Sequence, residues 1–517
     1  MKIRIKSTSV IFGTGLLLQL IVSFSTFSQG KNHTWLLGYD VGLADSNVTS
    51  TKARFGFDAL NYTLTPESRK LAFLSGQANI SDESGNLIIS TNGCWIANLL
   101  NDTLLNGTGI NPGLFTEDWC GSITGIPYPH ANILLPWPDD SGKFILLHQT
   151  GSYDANFLSS ELFYSIIDMS LDSGKGGVVL GQKNIIAIQD TLNPGIAACK
   201  HANGRDWWIT VFKDSSDIVY TLLLSTNGIS NISSQSLGMT PHNNYAGQPQ
   251  FSNDGSKFAY HWSYGNTSLV SHEVRLFDFD RCSGLFSNGT AVLTNDPFNG
   301  FGLSFSPNSR YLYFSSFLTI HQIDTDTSDI QASLKSVALN DTFYSPAPPF
   351  ITNFFLMYLA ANGKIYISSG NSVIDLHCIN YPDSGGVSCD VQQHSIHLPC
   401  YSARGNVNHP NYYLGPMIGS ACDTLGVGMN ENLMHDFRFS ISPNPSNGNI
   451  KIAYLLPQNQ HGKFEIYDIV VNMIYSLDLP PWSSFQNINL PPLSGGIYTV
   501  ILSSERYKTC KKLAIVK

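Results

Sequence analysis

The side chains whose spacing best suits chemistry are two carboxylates on one short stretch, Asp278 and Asp280. Acidic and apolar residues alternate from Leu276 to Asp280, so in a strand both carboxylates point to the same face. Two carboxylates this close can share a proton or bind calcium. The simpler interpretation, which we favour, is an acidic strand end that reaches solvent, because strands commonly finish in acidic turns. Beyond these two candidates we assign no catalytic residue.

A second group joins His201 and Asp206 to the adjacent pair Trp207 and Trp208. These residue types could form a sugar-stacking surface or an acid/base site. In a strand, however, adjacent side chains face opposite sides, and both sides of a packed sheet are buried against neighbours. We therefore expect the two Trp residues to lie in the core.

Most of the chain repeats a unit of strand, tight turn and strand. In Gln248–Tyr260 the pair Asp254-Gly255 makes the turn, since Gly accepts a positive φ, and the flanking residues alternate with a period of two. A lone hairpin cannot bury its faces, so repeated copies must stack. The turn residues of successive copies are 57, 62, 51, 54 and 54 residues apart. The copies are Ala78–Ser90, Ile133–His148, Cys199–Phe212, Gln248–Tyr260, Leu303–Phe314 and Leu359–Ser369, with turn residues Gly85, Gly142, Gly204, Gly255, Ser309 and Gly363.

This period fits the blades of a β-propeller with long connections. The stretch His33–Asp40 is strand-like but has no hairpin partner of its own. We expect it to pair near Val407–Leu414 and to close the ring by a blade that both chain ends share. Six marked hairpins and one shared blade make seven. The sequence therefore predicts an all-β fold with a seven-bladed β-propeller over residues 29–418, while six or eight blades stay open.

Composition and charge indicate an exported protein. The chain has 517 residues, of which 42% are hydrophobic and 13% charged, and its net charge is −9. This balance is typical of a β-rich extracellular protein, and without a basic cluster it argues against nucleic acid as a partner. Residues 1–28 have the basic start and the apolar stretch of 13 residues of a secretory signal. That stretch is too short to span a bilayer, and we predict no transmembrane segment.

Cysteines and histidines crowd the region 377–422, which raises the question of a zinc site. No C-x-x-C pair occurs and the compartment is oxidising, so local disulfides are favoured over zinc. The sequence also lacks a GxSxG elbow, an HExxH helix and a phosphate-binding glycine loop. We predict no metal and no cofactor. The residues concerned are Cys378, Cys389, Cys400, Cys422, His377, His394 and His397.

The character of the sequence changes after the repeats. Residues 419–436 have few aromatic residues and no strong period, as expected of a linker. From Phe437 on, short alternating strands follow, including Ile450–Leu455 and Ile497–Leu502. We predict a small Ig-like β-sandwich over residues 437–517.

Four ordered motifs lie in this tail. Their residues include Pro443, Asn444, Pro445, Gly448, Gly495, Gly496, Tyr498, Lys512, Val516 and Lys517. On these motifs the tail resembles the type A C-terminal sorting domain of the type IX secretion system of Bacteroidota. It departs from the pattern at Val470-Val471-Asn472, where a Gly-rich turn is usual, which weakens the hairpin expected there. The resemblance implies that the type IX machinery is a partner, that the chain passes through the periplasm and across the outer membrane to the cell surface or the medium, and that the tail is cut off within residues 419–436.

The body contains further familiar pieces, among them Trp35–Gly38, Leu276–Asp280 and Phe305-Ser306-Pro307. On these it resembles secreted WD-repeat-like β-propeller proteins of the same bacteria. That resemblance implies a fold and no activity. We predict a non-catalytic surface or secreted module that binds a protein or a glycan through its loop-bearing rim. The alternatives are a polysaccharide-degrading glycosidase or lyase, and a structural part of a surface or gliding assembly.

Overall fold

The computed structural model is built almost entirely of β-strands. It describes residues 30–40, 48, 50, 52–58, 61–121, 125–155, 157–238, 247–266, 269–345, 350–417, 420–423, 439–454, 456, 461–468, 472–480, 485–504 and 507–516. The signal predicted for residues 1–28 and the terminal Lys517 lie outside the described residues.

The strands between residues 30 and 402 form seven sectors of one ring. Sectors one to three contain β1 (Thr34–Leu37), β2 (Lys52–Phe57) and β3 (Tyr62–Glu67); β4 (Ala78–Ser81), β5 (Leu87–Thr91), β6 (Trp95–Asn98) and β7 (Thr103–Thr108); and β8 (Asn132–Trp137), β9 (Asp140–His148), β10 (Ser159–Asp168), β11 (Gly177–Val178) and β12 (Ile185–Leu192). Sectors four and five contain β13 (Ala197–Lys200), β14 (Trp207–Phe212), β15 (Ile218–Ser225) and β16 (Gly228–Ser236); and β17 (Pro249–Phe251), β18 (Lys257–Asn266), β19 (Leu269–Asp280) and β20 (Leu285–Asp296). Sectors six and seven contain β21 (Leu303–Phe305), β22 (Tyr311–Ser315), β23 (Thr319–Asp324) and β24 (Lys335–Leu339); and β25 (Met357–Leu359), β26 (Ile365–Ile367), β27 (Val373–Ile379) and β28 (Val391–Ser402).

Neighbouring strands within a sector are antiparallel. The short β11 is shared, because it pairs with β10 and also, in parallel, with β7, and so links sectors two and three into one sheet. The first strands of adjacent sectors contact one another, for example β1 with β4 and β17 with β21. This arrangement is the predicted β-propeller, with first strands around the axis.

All six predicted hairpins are present, and each supplies the first two strands of a sector. The backbone φ lies between 72° and 86° at the turn residues Gly85, Gly204, Gly255 and Gly363, a conformation that favours glycine. The period of two identified these strands because alternate side chains pack on the two neighbouring sectors.

The prediction that both chain ends share a blade is wrong. β1 pairs with β2, so sector one is a three-stranded sheet made of N-terminal residues alone. Residues 407–414 form no strand. Pro410 has no N–H to donate, and the asparagines around it use their side-chain amides on backbone carbonyls, which competes with a strand ladder.

Sectors one and seven instead close the ring through aromatic packing. The ring centroid of Trp35 on β1 lies 5.7 Å from that of Tyr366 and 6.1 Å from that of Tyr358. Phe55 on β2 lies 5.2 Å from Tyr366. All four side chains are buried, so removal of apolar area from water holds the two ends of the ring together.

The ring has two different faces. The loop face carries the connections between sectors and those between second and third strands; the turn face carries the turns between first and second strands. Residues 403–417, here called the axial strap, cross from one face to the other. The strap begins at the loop face, where Arg404 N donates to Ser369 O (2.6 Å), and ends at the turn face, where Met417 N donates to Ala202 O (2.7 Å).

Side chains of the axial strap donate to backbone carbonyls of four sectors. The bonds are Asn408 to Ile196 (2.7 Å), His409 to Asn79 (2.8 Å), Asn411 to Asn253 (2.7 Å) and Tyr412 to Leu134 (3.0 Å). The strap therefore satisfies polar groups around the axis and ties the sectors to one another.

Each face of the ring carries one disulfide. Cys94 pairs with Cys120 on the loop face, and Cys282, in the turn between β19 and β20, pairs with Cys422 just after the strap. The local pairs expected from sequence spacing do not form, since Cys378, Cys389 and Cys400 are buried and unpaired. Closeness in sequence does not bring side chains into disulfide geometry.

The tail is a small sandwich of two sheets around its own core, as predicted. One sheet has the order β29–β30–β33 and the other β32–β31–β34–β35. The hairpin of β31 and β32 forms although the sequence departs from the expected pattern there, because Asn472 donates from its backbone and side chain to the Asp468 carboxylate (2.8 and 3.0 Å). The strands are β29 (Phe439–Ser442), β30 (Asn449–Tyr454), β31 (Gly462–Tyr467), β32 (Met473–Leu479), β33 (Phe485–Asn489), β34 (Gly496–Ser504) and β35 (Tyr507–Ile515).

Helices are few and short. They are α1 (Leu114–Cys120), α2 (Leu171–Gly174) and the 3-10 turns Gly30–Asn32, Gln331–Ser333 and Gly386–Cys389. Within the described ranges, none has the length and apolar character needed to cross a membrane.

Candidate functional site

The loop face carries five aromatic side chains in mutual contact, here called the aromatic cluster: Phe115, Trp119, Tyr128, Tyr153 and Phe157. Phe115 lies at the centre, and its ring centroid is 5.3 to 6.3 Å from those of the other four. Only 3% of Phe115 is exposed, whereas Tyr153 is 45% and Phe157 59% exposed. The cluster therefore has a buried centre and an exposed edge of two rings.

Covalent and hydrogen bonds hold the two segments that carry four of the five rings; the fifth ring, Tyr128, lies in the segment before β8. Helix α1 carries two of the rings, and its last residue, Cys120, forms the disulfide with Cys94 between β5 and β6. The loop between β9 and β10 carries the two exposed rings. The hydroxyl groups of Thr116 on α1 and Thr150 in the loop share a hydrogen bond of 2.7 Å. The exposed rings are thus positioned before any ligand arrives.

Polar atoms accompany the exposed rings. The Tyr153 hydroxyl donates to Asp118 Oδ2 (2.6 Å), which raises the pKa of Tyr153. Burial raises the pKa of Tyr128 to about 12. Both phenols are therefore neutral near pH 7; Tyr153 donates to a carboxylate and Tyr128 to the backbone carbonyl of Phe157 (2.5 Å). A flat apolar surface with polar groups at its border can hold either a sugar ring or a peptide side chain.

A cavity of about 110 Å³, here called the axial pocket, lies on the axis at the turn face. First strands of several sectors, the axial strap and the tail form its walls. No Asp or Glu occurs among the described residues that line it, whereas two lysines do, so the wall is cationic in a chain of net charge −9. Its polar lining includes Asn32, His130, Lys200, Tyr358, Asn408, His409 and Lys451.

Several buried polar atoms of the axial pocket have no hydrogen-bond partner within the described part of the chain. They are both ring nitrogens of His130, the Tyr358 hydroxyl and Oδ1 of Asn32. The His130 ring stacks on Tyr358 with 5.4 Å between centroids. Burial lowers the pKa of His130 to about 4, and the Asn408 side chain opposes this shift. A neutral imidazole and a phenol each carry one hydrogen-bond donor, and both residues line the axial pocket.

Lys200 is the cation that the propeller itself contributes to the axial pocket. Its Nζ donates to Arg205 O (2.9 Å) and lies 4.0 Å from the ring centroid of Trp207. Burial, assisted by Lys31, lowers the pKa of Lys200 to about 7, against the opposing effect of Asp206. An anion bound beside it would favour its charged form.

The tail covers the open end of the axial pocket. Lys451 on β30 donates from Nζ to Ala361 O (2.5 Å), and its ammonium lies 4.4 Å from the ring centroid of Phe485 on β33. Asn487 Nδ2 donates 3.1 Å to the next carbonyl of the same turn, between β25 and β26. At Gly363 a Cβ atom would lie 2.4 Å from Asn487 Nδ2, so the absence of a side chain permits the contact.

The candidate carboxylates Asp278 and Asp280 serve the turn that follows β19. Asp278 accepts from Asn288 Nδ2 (2.7 Å), and Asp280 accepts from Cys282 N (2.9 Å) and Ser283 Oγ (2.6 Å). Burial opposes ionisation of Asp280, but these hydrogen bonds prevail and lower its pKa. Both side chains are exposed at the end of a strand.

The other sequence candidates also have structural partners. His394 pairs with Asp341 (2.8 Å) and His397 with Asp375 (3.1 Å). Where the chain is described, no three His, Cys, Asp or Glu side chains gather as metal ligands. Trp207 and Trp208 are both buried, as expected.

The Pro-Asn-Pro motif of the tail lies against the last strand. Asn444 Nδ2 donates to Lys512 O (2.7 Å), and Ala514 N donates to Asn444 Oδ1 (2.8 Å). The Asn444 amide thus substitutes for a neighbouring strand beside β35. Val516 N continues this pairing with a bond to Ser446 O (2.8 Å), so motifs far apart in sequence meet at one edge.

The remaining motif residues shape the second sheet and its turns. Gly448 has a φ of 112°, which favours glycine. Gly495 precedes β34 and Gly496 begins it, and the Tyr498 hydroxyl on that strand donates to Ser494 O (2.9 Å).

Sequence reasoning missed both the aromatic cluster and the axial pocket. The exposed rings of the cluster lie in a long connection between predicted strands, and aromatic residues in a long loop are the signal that points to them. Lys200 stood inside a predicted hairpin, but the axial strap that lines the same pocket was not foreseen.

Comparison with known proteins identifies the tail. Residues 440–516 match the model of the secretion system C-terminal sorting domain. No curated protein matches the chain.

Similar solved structures concern the body. The chain is similar to the Dos1 propeller (10% identity, TM-score 0.35, covering 65% of this chain and 87% of that one). It is similar to a protein of unknown function from Bacteroides thetaiotaomicron VPI-5482 (12%, 0.26, 70% and 88%) and to Hsv2p of Kluyveromyces lactis (9%, 0.31, 68% and 95%).

The arrangement of its strands makes the chain a β-propeller protein with a β-sandwich tail. The tail is a type IX secretion sorting domain, which directs the protein across the outer membrane to the cell surface or the medium.

Proposed function

We propose that this exported propeller is a non-catalytic binding module that holds a protein or a glycan on the aromatic cluster of its loop face. The exposed edge formed by Tyr153 and Phe157 is the observation that carries the proposal. Rigid aromatic rings provide a large contact area at a small entropic cost, which is why they dominate binding hot spots. The disulfide from Cys94 to Cys120 holds helix α1 under these rings.

Binding measurements on the full exported chain test this proposal. We expect saturable binding on a glycan array or in a pull-down from surface proteins, and a loss of at least about tenfold in Phe157→Ala. Tyr344→Ala is the matched control, because Tyr344 is 58% exposed elsewhere on the loop face. Absence of saturable binding, or equal loss in both variants, would contradict the proposal. Glycan cleavage that Asp278→Asn abolishes would instead support the glycosidase or lyase hypothesis.

We further propose that the secretory signal at residues 1–28 and the tail at 437–517 are removed, the latter by a cut within 419–436. Cys422 lies in that segment and is bonded to Cys282, so a cut after Cys422 leaves the axial strap pinned. Mass spectrometry of the exported form, compared with full-length protein and with a chain ending at Asp436, tests this. An exported form that retains the tail would contradict it.

A further inference from the structure

We propose that the tail is a removable cap on the axial pocket, and that the uncovered pocket binds a small ligand through a carboxylate group. The cap and the ligand are separate claims, and each has its own measurement. Neither depends on binding at the loop face, and the release of the tail proposed above sets only when the pocket opens.

Lys451 is the side chain that makes the tail a cap. A basic residue on the rim of a sandwich is ordinarily solvated, yet burial lowers the pKa of Lys451 to about 8. Its ammonium lies against a backbone carbonyl of the turn between β25 and β26, beside the ring of Phe485. Both side chains line the axial pocket, so they leave its wall when the tail leaves.

The chemistry left behind is that of an anion site. Lys200 remains as the one lysine of the described lining, and no acidic side chain of that lining neutralises it. His130 and Tyr358 each have a hydrogen-bond donor without a partner, buried in the wall. A singly charged group that accepts several hydrogen bonds matches one ammonium and two neutral donors.

Size and charge select a carboxylate from the possible anions. With the tail in place the axial pocket has a volume of about 110 Å³, enough for a carboxylate group, and departure of the tail opens space for the rest of the ligand. A dianionic phosphate would need more positive charge than a single lysine supplies. The carboxylate can belong to a uronic acid or to the C-terminus of a peptide.

The rate of covalent labelling of Lys200 tests whether the tail covers the axial pocket. A lysine with a lowered pKa is a free amine, and hence nucleophilic, in a large fraction of molecules near pH 7.5. A protease site is inserted within residues 424–438 of the full chain, the protein is cut, and acetylation by an N-hydroxysuccinimide ester is followed by mass spectrometry. Lys70, whose side chain is 71% exposed, is the internal standard.

We expect the labelling rate of Lys200, relative to Lys70, to rise by at least about tenfold after cutting and separation of the tail. The uncut double variant Lys451→Ala/Phe485→Ala should show part of this rise, because docking is weakened without a cut. Equal labelling of Lys200 before and after separation, or a cut tail that cannot be separated, would overturn the cap.

Protection of Lys200 from labelling tests whether the open pocket binds a carboxylate. N-acetylglycine and D-glucuronate represent the peptide and sugar sources, and N-acetylglycinamide and D-glucose are their neutral counterparts. We expect at least one acid, and neither neutral compound, to slow labelling of the open form and to bind in calorimetry, with Lys200→Gln abolishing the calorimetric signal. Equal effects of acid and neutral compound, or no binding of either acid, would overturn the ligand class and leave the cap result standing.

The pH profile adds a check on the role of Lys200. Carboxylate affinity should fall as pH rises through the pKa of Lys200, which burial holds below its usual value, because the ammonium is lost; a flat profile would contradict the assignment. The charged and titratable groups that act on Lys200 are Lys31, Asp206, Arg281 and Cys199.

Discussion

The two faces of the propeller differ in what covers them. On the loop face, long connections carry the aromatic cluster, and two of its rings are exposed by 45% and 59%. On the turn face, tight hairpin turns leave space on the axis, and the axial strap and the tail occupy it. The same ring of sectors thus presents an open apolar surface on one side and a covered cationic pocket on the other.

This difference predicts that substitutions on the two faces have different effects. The turn face is built from the chain's own covering segments, so changes there should weaken the ring. The exposed part of the loop face packs on little else, so changes at its edge should affect a ligand more than the fold.

The largest difference between the faces should appear when their disulfides are removed. In the chain-entropy model, closing the 140-residue span from Cys282 to Cys422 stabilises by about 5 kcal/mol and closing the 26-residue span from Cys94 to Cys120 by about 3.5 kcal/mol. We expect Cys282→Ser/Cys422→Ser to lose about 1.5 kcal/mol more in urea unfolding than Cys94→Ser/Cys120→Ser.

Each double variant serves as the control of the other, since both replace two cysteines. An equal or larger loss in the loop-face variant would mean that the strap is held mainly by its hydrogen bonds. That result would contradict the statement that the turn face depends more than the loop face on its disulfide for stability.

Within the loop face, substitutions at the centre and at the edge of the aromatic cluster should change the free energy of unfolding by different amounts. Phe115→Ala removes a ring that is 3% exposed and should cost about 3–5 kcal/mol of unfolding free energy. Phe157→Ala removes a ring that is 59% exposed and should cost less than about 1 kcal/mol. Urea unfolding measures both. A large loss in Phe157→Ala would show that its ring is structural.

The sequence predicted the sectors and the tail because both rest on local rules. A turn glycine such as Gly255 and alternating strands beside it define a hairpin wherever they occur. Six of the seven sectors follow from repetition, whereas the first sector was predicted wrongly as a blade shared by both chain ends. The strands of the tail follow from the same alternation. The motif around Asn444 was recognised by resemblance, but its pairing with the last strand came from the structure.

The ring closure and the sites depend on distant partners and were not predictable in this way. Asn408 and Asn411 read as loop residues, and only the position of carbonyls in other sectors makes them part of a strap. The partner of Cys422 is 140 residues away. Phe115 lies in the connection between sectors two and three and Phe157 in a loop of sector three, and no sequence period connects them.

A smaller effect should follow from acid, through His130 in the axial pocket. Its pKa is about 4 in the folded protein and near 6.5 when unfolded. The unfolded state binds the proton more readily, so protonation of His130 favours unfolding. The free energy of unfolding is therefore unaffected by His130 above pH 6.5 and falls as pH falls towards 4, by roughly 2 kcal/mol at pH 5. In thermal melts from pH 7 to 4.5, His130→Gln should lose less stability than wild type.

His397→Gln is the matched control for that measurement, because the His397 side chain is 61% exposed. If His130→Gln and His397→Gln depend on pH equally, burial of His130 in the axial pocket does not contribute to the loss of stability in acid.

The smallest effect concerns the tail that covers the turn face. Asn444→Ala removes two hydrogen bonds to β35 at an exposed edge, and we expect a loss of about 1–2 kcal/mol in the unfolding of the tail, since each such bond contributes about 1 kcal/mol. Asn447→Ala is the control, because its side chain accepts only a local bond of 3.3 Å from Asn449 N. A tail unfolding transition that is equally stable in both variants would mean that the amide of Asn444 only fills space beside the last strand. A loss confined to Asn444→Ala would show that the Pro-Asn-Pro motif holds the end of the chain in place, and with it the sheet that carries Lys451.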